Sequence, residues 1–399
     1  MAGVGVCRGE LMAIMMLAGL LVAGCGGAAP GMTVARATPV PSAGPSSAGS
    51  PRDTGTLAPG RKGEGGVSVL AFRGYAEYGG NDPKVNWVSP FEKRTGCQVT
   101  LTLVGTAEEM ADRLAGHTYD VVSASPDIAG ELIADGRAAK LDTSRVSAYD
   151  DIPAWLRDLP AVKDGDRVYG VPYLWGFHQV LYDPAKIGRT AAGWDVLFAG
   201  PAALWDSPMT IADAALALRG RLRPTNPFEL TGEQLDAAMR LLAQSKDDDR
   251  GYWSQYVEVV EGFAARRSRA AQALPYHLDV LRRADVPVRA ARLPRTTGWA
   301  DAWMISSDTQ RPNCAYQWID YMTSAQQQRQ AAAWAGLAPA NLDACTGRAG
   351  RMCAAYHVTD RAAIRRIAFA VRPGKDCGNR DGECTDYTEW TKRWRELVK

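Results

Sequence analysis

The stretch TTGWADAWMISS, residues 296–307, places Trp299, Asp301 and Trp303 two residues apart. Along an extended chain, side chains at alternate positions leave the same face, so an acid here stands between two indoles. A carboxylate taken out of water is costly unless something neutralises it. An indole face attracts a cation and contributes up to about 2 kcal/mol when the contact is dry. Two readings follow: a slot for an organic cation, or a half-exposed strand whose acid faces water between core aromatics. Catalytic signatures are missing. The chain has no H-E-x-x-H, no G-x-S-x-G, no G-x-x-x-x-G-K-[ST] and no strand-linked G-x-G-x-x-G. KDDDRG and DCGNRDGEC are acidic but lack the glutamate that closes a calcium loop. The four histidines, His117, His178, His277 and His357, are scattered. The expectation is binding without catalysis, with no cofactor and no metal.

The 399 residues are 46% hydrophobic and 23% charged, enough to bury a sizeable core, with a formal net charge of +2. The positive excess lies between Cys25 and Gly66, so the rest is near neutral and has no long Lys/Arg run. That argues against nucleic acid, where phosphate neutralisation supplies most of the affinity. At the N-terminus an apolar run from Leu11 to Ala23 follows Arg8. As a helix it spans roughly 20 Å, short of a hydrocarbon core of about 30 Å, and so reads as a secretory segment. Its ending, Val22-Ala23-Gly24-Cys25, resembles the bacterial lipobox. Residues 1–24 are therefore expected to be a lipoprotein signal peptide, with Cys25 lipidated as the mature N-terminus. Residues 25–66 have no aromatic residue and are rich in Pro, Gly, Ser and Ala, the composition of a flexible tether with a reach of roughly 35 Å. Six cysteines remain beyond Cys25, an even number that in an exported chain favours disulfides. Cys345/Cys353 and Cys377/Cys384 are near enough to staple local loops, which leaves Cys97/Cys314. This is one of the fifteen pairings that six cysteines allow. Zinc would need tighter C-x-x-C spacing.

The elements that must position the acid follow from periodicity. VSVLAF is a short strand, DPKVNWVSPFEKRTG a helix stopped by Gly96, and CQVTLTLV a second strand. TAEEMADRLAG opens with a capping box from Thr106 to Glu109. YDVVSAS is a third strand, and Ser125-Pro126 starts the next helix, with Ser125 as a natural N-cap. Strand and helix at this pitch predict βαβ units around a parallel sheet. Two long extended stretches, VYGVPYLWGFHQVLY and VPVRAARLPRTTGWADAWMIS, lie more than a hundred residues apart. They suggest two lobes joined by strands, with a cleft at the hinge.

The order and spacing of AFRGYAEY, PFEKRTGCQVTL, YDVVSASPDIAGELIADGRAAKLD, GVPYLWG, WDSPMTIADAALAL, GWADAWMIS and NCAYQWIDYMTS…WAGLAPAN resemble a bacterial ABC importer's extracellular solute-binding protein. The likeness is to the spermidine/putrescine-binding type and runs from about Val67 to Ala344. It implies an α/β, two-lobed type II periplasmic-binding-protein fold with a hinge and an interlobe cleft. Residues 67–178 would form lobe 1 and 179–297 lobe 2, with 298–344 returning to lobe 1. The Cys-rich segment 345–399 is placed on lobe 2.

In such proteins aromatic faces sandwich a methylene chain and carboxylates hold ammonium groups. The resemblance brings Tyr75, Glu77 and Tyr78 to the ligand at the first strand-to-helix turn, Ser125 and Asp127 at the SAS turn, and Trp299 and Asp301 in GWADAWMIS. Trp303 is expected in the core, and Trp175 and His178 as packed hinge residues. Three departures stand out. Where relatives bring a further carboxylate after Trp205-Asp206, this chain has Ser207 and Thr210. Leu274, Pro275, Tyr276 and His277 stand where relatives show a tryptophan. Leu337 replaces an aromatic. Fewer acids leave a monoamine, a diamine, a quaternary ammonium compound or a cationic amino-acid derivative open. The resulting expectation is a monomeric lipid-anchored receptor outside the cytoplasm, attached to the membrane only through Cys25. It would pass a small cationic solute to an ABC permease. A carbohydrate binder and an exported enzyme on the same scaffold are the alternatives.

Overall fold

The apolar runs become the centres of two sheets in the computed structural model, which describes residues 62–80, 82–244, 251–377 and 383–399. The signal segment 1–24, Cys25 and the tether up to residue 61 lie outside the described residues. β1 (Gly66–Phe72) pairs in parallel with β2 (Gln98–Val104) and β3 (Val121–Ala124). All four residues of β3 are buried, as expected of a strand covered on both faces. A small hairpin, β4 (Lys163–Asp164) and β5 (Arg167–Val168), precedes β6 (Gly170–Phe177) and β7 (Gln179–Tyr182). β8 (Ala202–Trp205), β9 (Gly251–Trp253), β10 (Ala270–Ala273) and β11 (Arg289–Ala290) follow, then β12 (Thr296–Ile305), β13 (Ala338–Pro339) and β14 (Ile367–Phe369).

Strand order in the first, seven-stranded sheet is β13-β6-β12-β3-β1-β2, with β14 alongside β12. Strand order in the second is β11-β7-β10-β8-β9. β12 runs antiparallel to both β6 and β3. The chain leaves the first sheet at His178, between β6 and β7, and returns to it at Thr296 after β11. The described residues belong to one compact unit, Gly55–Lys399. Each sheet has its own apolar core: Val69, Phe91, Trp303 and Trp318 in the first, Leu204, Leu235, Trp390 and Trp394 in the second. This is the two-lobed type II architecture. No helix among the described residues is long and apolar enough to cross a membrane.

Local chemistry explains the element ends. Thr106 Oγ1 accepts from Glu109 N at 3.1 Å and starts the helix Ala107–Gly116. Gly96, at φ 74°, ends the helix Val88–Thr95 in the left-handed conformation that glycine adopts without a Cβ penalty. Three disulfides form, Cys97–Cys314, Cys345–Cys353 and Cys377–Cys384, the pairing suggested by local spacing.

The C-terminal segment departs from expectation. The expected place is lobe 2, yet Met352, Cys353, Tyr356 and Ile364 fill the first core and β14 adds to the first sheet. From Ala370 onward the chain joins the second core through Trp390, Trp394 and Leu397 of the helix Tyr387–Val398. The reason is apolar burial on both sides: the segment carries two separate hydrophobic clusters, one for each lobe.

Candidate ligand-binding site

Asp301, on β12, is 3% exposed. Its Oδ2 accepts from the Tyr75 hydroxyl in a very short contact and from Trp299 Nε1 at 3.2 Å. Its Oδ1 is buried and has no partner among the described residues. Burial pushes the Asp301 carboxyl up to about 7. The Tyr75 hydrogen bond opposes that rise and the charge of Asp127 adds to it. Burial, and next the Asp301 charge, raise the Tyr75 phenol well above its ordinary value, so it remains a donor. Tyr75 is held by Tyr173, whose hydroxyl donates to the Tyr75 carbonyl at 3.1 Å and whose ring meets it edge-on at 5.6 Å.

Aromatic rings flank the acid. Trp299 stacks on Trp205 with centroids 6.0 Å apart, and Trp205 stacks in turn on Trp253 at 6.3 Å. A Cβ on Gly176 of β6 would lie 2.9 Å from Trp299 Cη2, so glycine is what lets the indole lie against the crossing strand. Tyr256, from the second lobe, is close enough that the Asp301 charge raises its phenol, after burial itself.

Asp127 is 4% exposed in the first turn of the helix Pro126–Ala134. Its carboxylate pairs with the Tyr387 hydroxyl, while its carbonyl accepts from Arg372 Nη1 at 3.0 Å. Ser125 does not cap its helix as expected: its Oγ is buried, unpartnered and makes no cap hydrogen bond. Trp299, Asp301, Tyr75 and Asp127 are thus brought together. Ser125 lies two residues from Asp127.

Glu77 and Tyr78 do not join them. Glu77 Oε1 accepts from Gly74 N at 3.2 Å and Trp334 Nε1 at 3.4 Å, so this acid is spent on holding its own turn. Burial raises its carboxyl, against those two bonds. Tyr78 is 42% exposed, with its hydroxyl donating to the Val99 carbonyl at the sheet edge. The turn after β1 is not helical, so residues three apart leave it in different directions. Trp303 is core, packed against Tyr173 and Trp318.

A second buried acid, Asp213, has every oxygen occupied. Its Oδ2 lies 2.8 Å from His178 Nδ1 and accepts from Gln272 Nε2, and its Oδ1 accepts from the Thr297 hydroxyl. Gln272 Oε1 also accepts from Trp205 N at 2.8 Å. The His178 ring sits 5.3 Å from Trp205 and 5.2 Å from Trp299. This network ties both crossing strands to β10 and to the helix Thr210–Ala215. Sequence reasoning looked for an acid just after Trp205 and stopped at Thr210, three residues short of Asp213. It also missed Tyr387, which lies in the segment outside the resemblance.

A family model described as "Bacterial extracellular solute-binding protein" matches residues 86–349. The chain belongs to this family. A putrescine-binding periplasmic protein of Pseudomonas aeruginosa is 31% identical over 159 residues, covering 35% of this chain and 43% of that one. The chain therefore spans less than half the length of the curated relatives it matches first. Among solved structures, a spermidine/putrescine ABC transporter substrate-binding protein from Streptococcus pneumoniae superposes with a TM-score of 0.62 at 16% identity, over 84% of this chain and 97% of that one. The Atu4243–GABA receptor gives 0.63 at 19%, over 84% and 98%. At these identities the two structures speak for the fold alone.

Proposed function

We propose that this protein captures a small organic cation of the polyamine type between its lobes and delivers it to an ABC permease. In this reading it works as a monomer tethered outside the cytoplasm by a lipid on Cys25. One observation carries it: of the two deeply buried acids at the hinge, Asp213 is fully partnered and Asp301 is not. A protonated amine at Asp301 Oδ1 completes the pairing, and the adjoining Trp299 indole attracts its charge. The putrescine-binding relative supports this ligand class, and the GABA receptor neighbour makes an ω-amino acid a useful comparison ligand. Tyr75, Trp299, Asp301 and Asp127 are assigned to the ligand, with Ser125 as an adjacent hydroxyl.

Isothermal titration of the purified protein with putrescine, cadaverine, agmatine, GABA and maltose tests the reading. A diamine is expected to bind, and Asp301→Asn to weaken it by about 2–3 kcal/mol, roughly 30- to 150-fold. Binding of maltose with no response to any amine would contradict it.

A further inference from the structure

A cavity of about 1020 Å3 opens between the lobes beside the crossing strands. Apart from His178, its lining shares no residue with the surroundings of Asp301. One wall is the helix Pro275–Arg283 of the second lobe, which contributes Arg282 and Arg283, with Arg292 following β11. The other comes from the first-lobe segment 350–367, with Arg351 and Arg366. A single carboxylate lines it, Asp279, and Arg351 Nε already lies 3.3 Å from its Oδ2. The five arginines of this lining thus outnumber its one carboxylate. Arg282, Arg292 and Arg366 are solvent-exposed. Between them the lining is apolar, with Phe177, Leu278, Ala355 and Ile367.

Cations gathered round a concavity repel one another and favour a bound anion. Guanidinium forks match oxyanions in two-point geometry, and an apolar lining between them accepts a hydrocarbon body. We propose that this cavity binds a soluble amphipathic anion, its apolar chain or ring lodged between the lobes and its oxyanion head among Arg282, Arg292 and Arg366. This site is independent of the amine reading.

Titration calorimetry of the purified protein with decyl phosphate below its micellar concentration, inorganic phosphate and 1-decanol tests it. Decyl phosphate should bind at one site, at least about tenfold more tightly than either fragment, and less tightly as salt rises. The double variant R282E/R366E should lose at least about tenfold in affinity with its melting temperature unchanged, since both side chains are exposed. Should that variant unfold, Arg292→Glu serves in its place with the same expected loss. Absence of decyl phosphate binding, equal binding by the variants, or decanol binding as tightly would overturn the proposal. So would arginine-dependent co-sedimentation with phosphatidylglycerol vesicles without binding of soluble decyl phosphate, which would assign the patch to a membrane surface.

Discussion

Asp301 is held near the border of ionisation, because burial disfavours its charge and its Oδ1 has no partner among the described residues. Its folded value, about 7, stands above the roughly 4 of an unfolded chain. Between these values the folded protein binds a proton that the unfolded chain has released. The protonated acid therefore contributes stability fully present below pH 4 and lost as pH rises through 7, on the order of 4 kcal/mol. Removing the charge should help the empty protein. Asp301→Asn is expected to melt above wild type at pH 8 and close to it at pH 5, which parallel thermal scans would measure. Binding has the opposite sign. An ammonium ligand needs the carboxylate, so affinity for a diamine should fall about tenfold per unit below pH 7 and level off above it. Calorimetry at pH 6 in two buffers of different ionisation enthalpy should show a proton released on binding. A pH-independent affinity would remove Asp301 from the ligand's surroundings.

The strands that carry this acid are fixed by Asp213 rather than by packing alone. His178 stands between β6 and β7, Thr297 on β12 and Gln272 on β10, and all three meet on that one carboxylate. Truncation by Asp213→Ala leaves three buried polar groups without their partner, an expected loss of about 3–5 kcal/mol visible in a melting curve with no ligand present. Asp206, exposed and with its carboxylate accepting from Trp394 Nε1 at 2.9 Å, provides the comparison: Asp206→Ala should cost far less. How much was legible in advance divides along these lines. VSVLAF, CQVTLTLV and YDVVSAS announced their strands because parallel strands buried on both faces read as apolar runs. Trp299 with Asp301 was legible as a pair, since period two survives in any register. Tyr78 was not, because a non-helical turn has no period to reveal where its side chains point. Asp213 was hidden for another reason: its partners lie 35 to 84 residues away and meet only through the sheet order.

The two lobes are joined by contacts that local pattern could not show. The helix Tyr387–Val398 belongs to the second core, yet Tyr387 bonds Asp127 and Arg395 pairs with Glu108, both on first-lobe helices. Arg372 Nη2 reaches Glu131 at 2.8 Å beside them. The C-terminal segment thus crosses the cleft as a strap, and swinging the lobes apart breaks every one of these contacts. Arg395→Glu, which sets two acids face to face on an exposed surface, should leave the melting temperature nearly unchanged while shifting the population toward open forms. Diamine affinity is expected to drop by about two- to fivefold, and X-ray scattering of the empty protein should show a larger radius of gyration. An unchanged affinity would mean that the strap plays no part in closure.

The pairing at Asp301 can be seen directly in a crystal structure of the protein grown with putrescine. One amine nitrogen is expected within about 3 Å of Asp301 Oδ1, with the methylene chain against the Trp299 indole. Putrescine bound elsewhere, or in the cleft with Asp301 Oδ1 still unpaired, would contradict it.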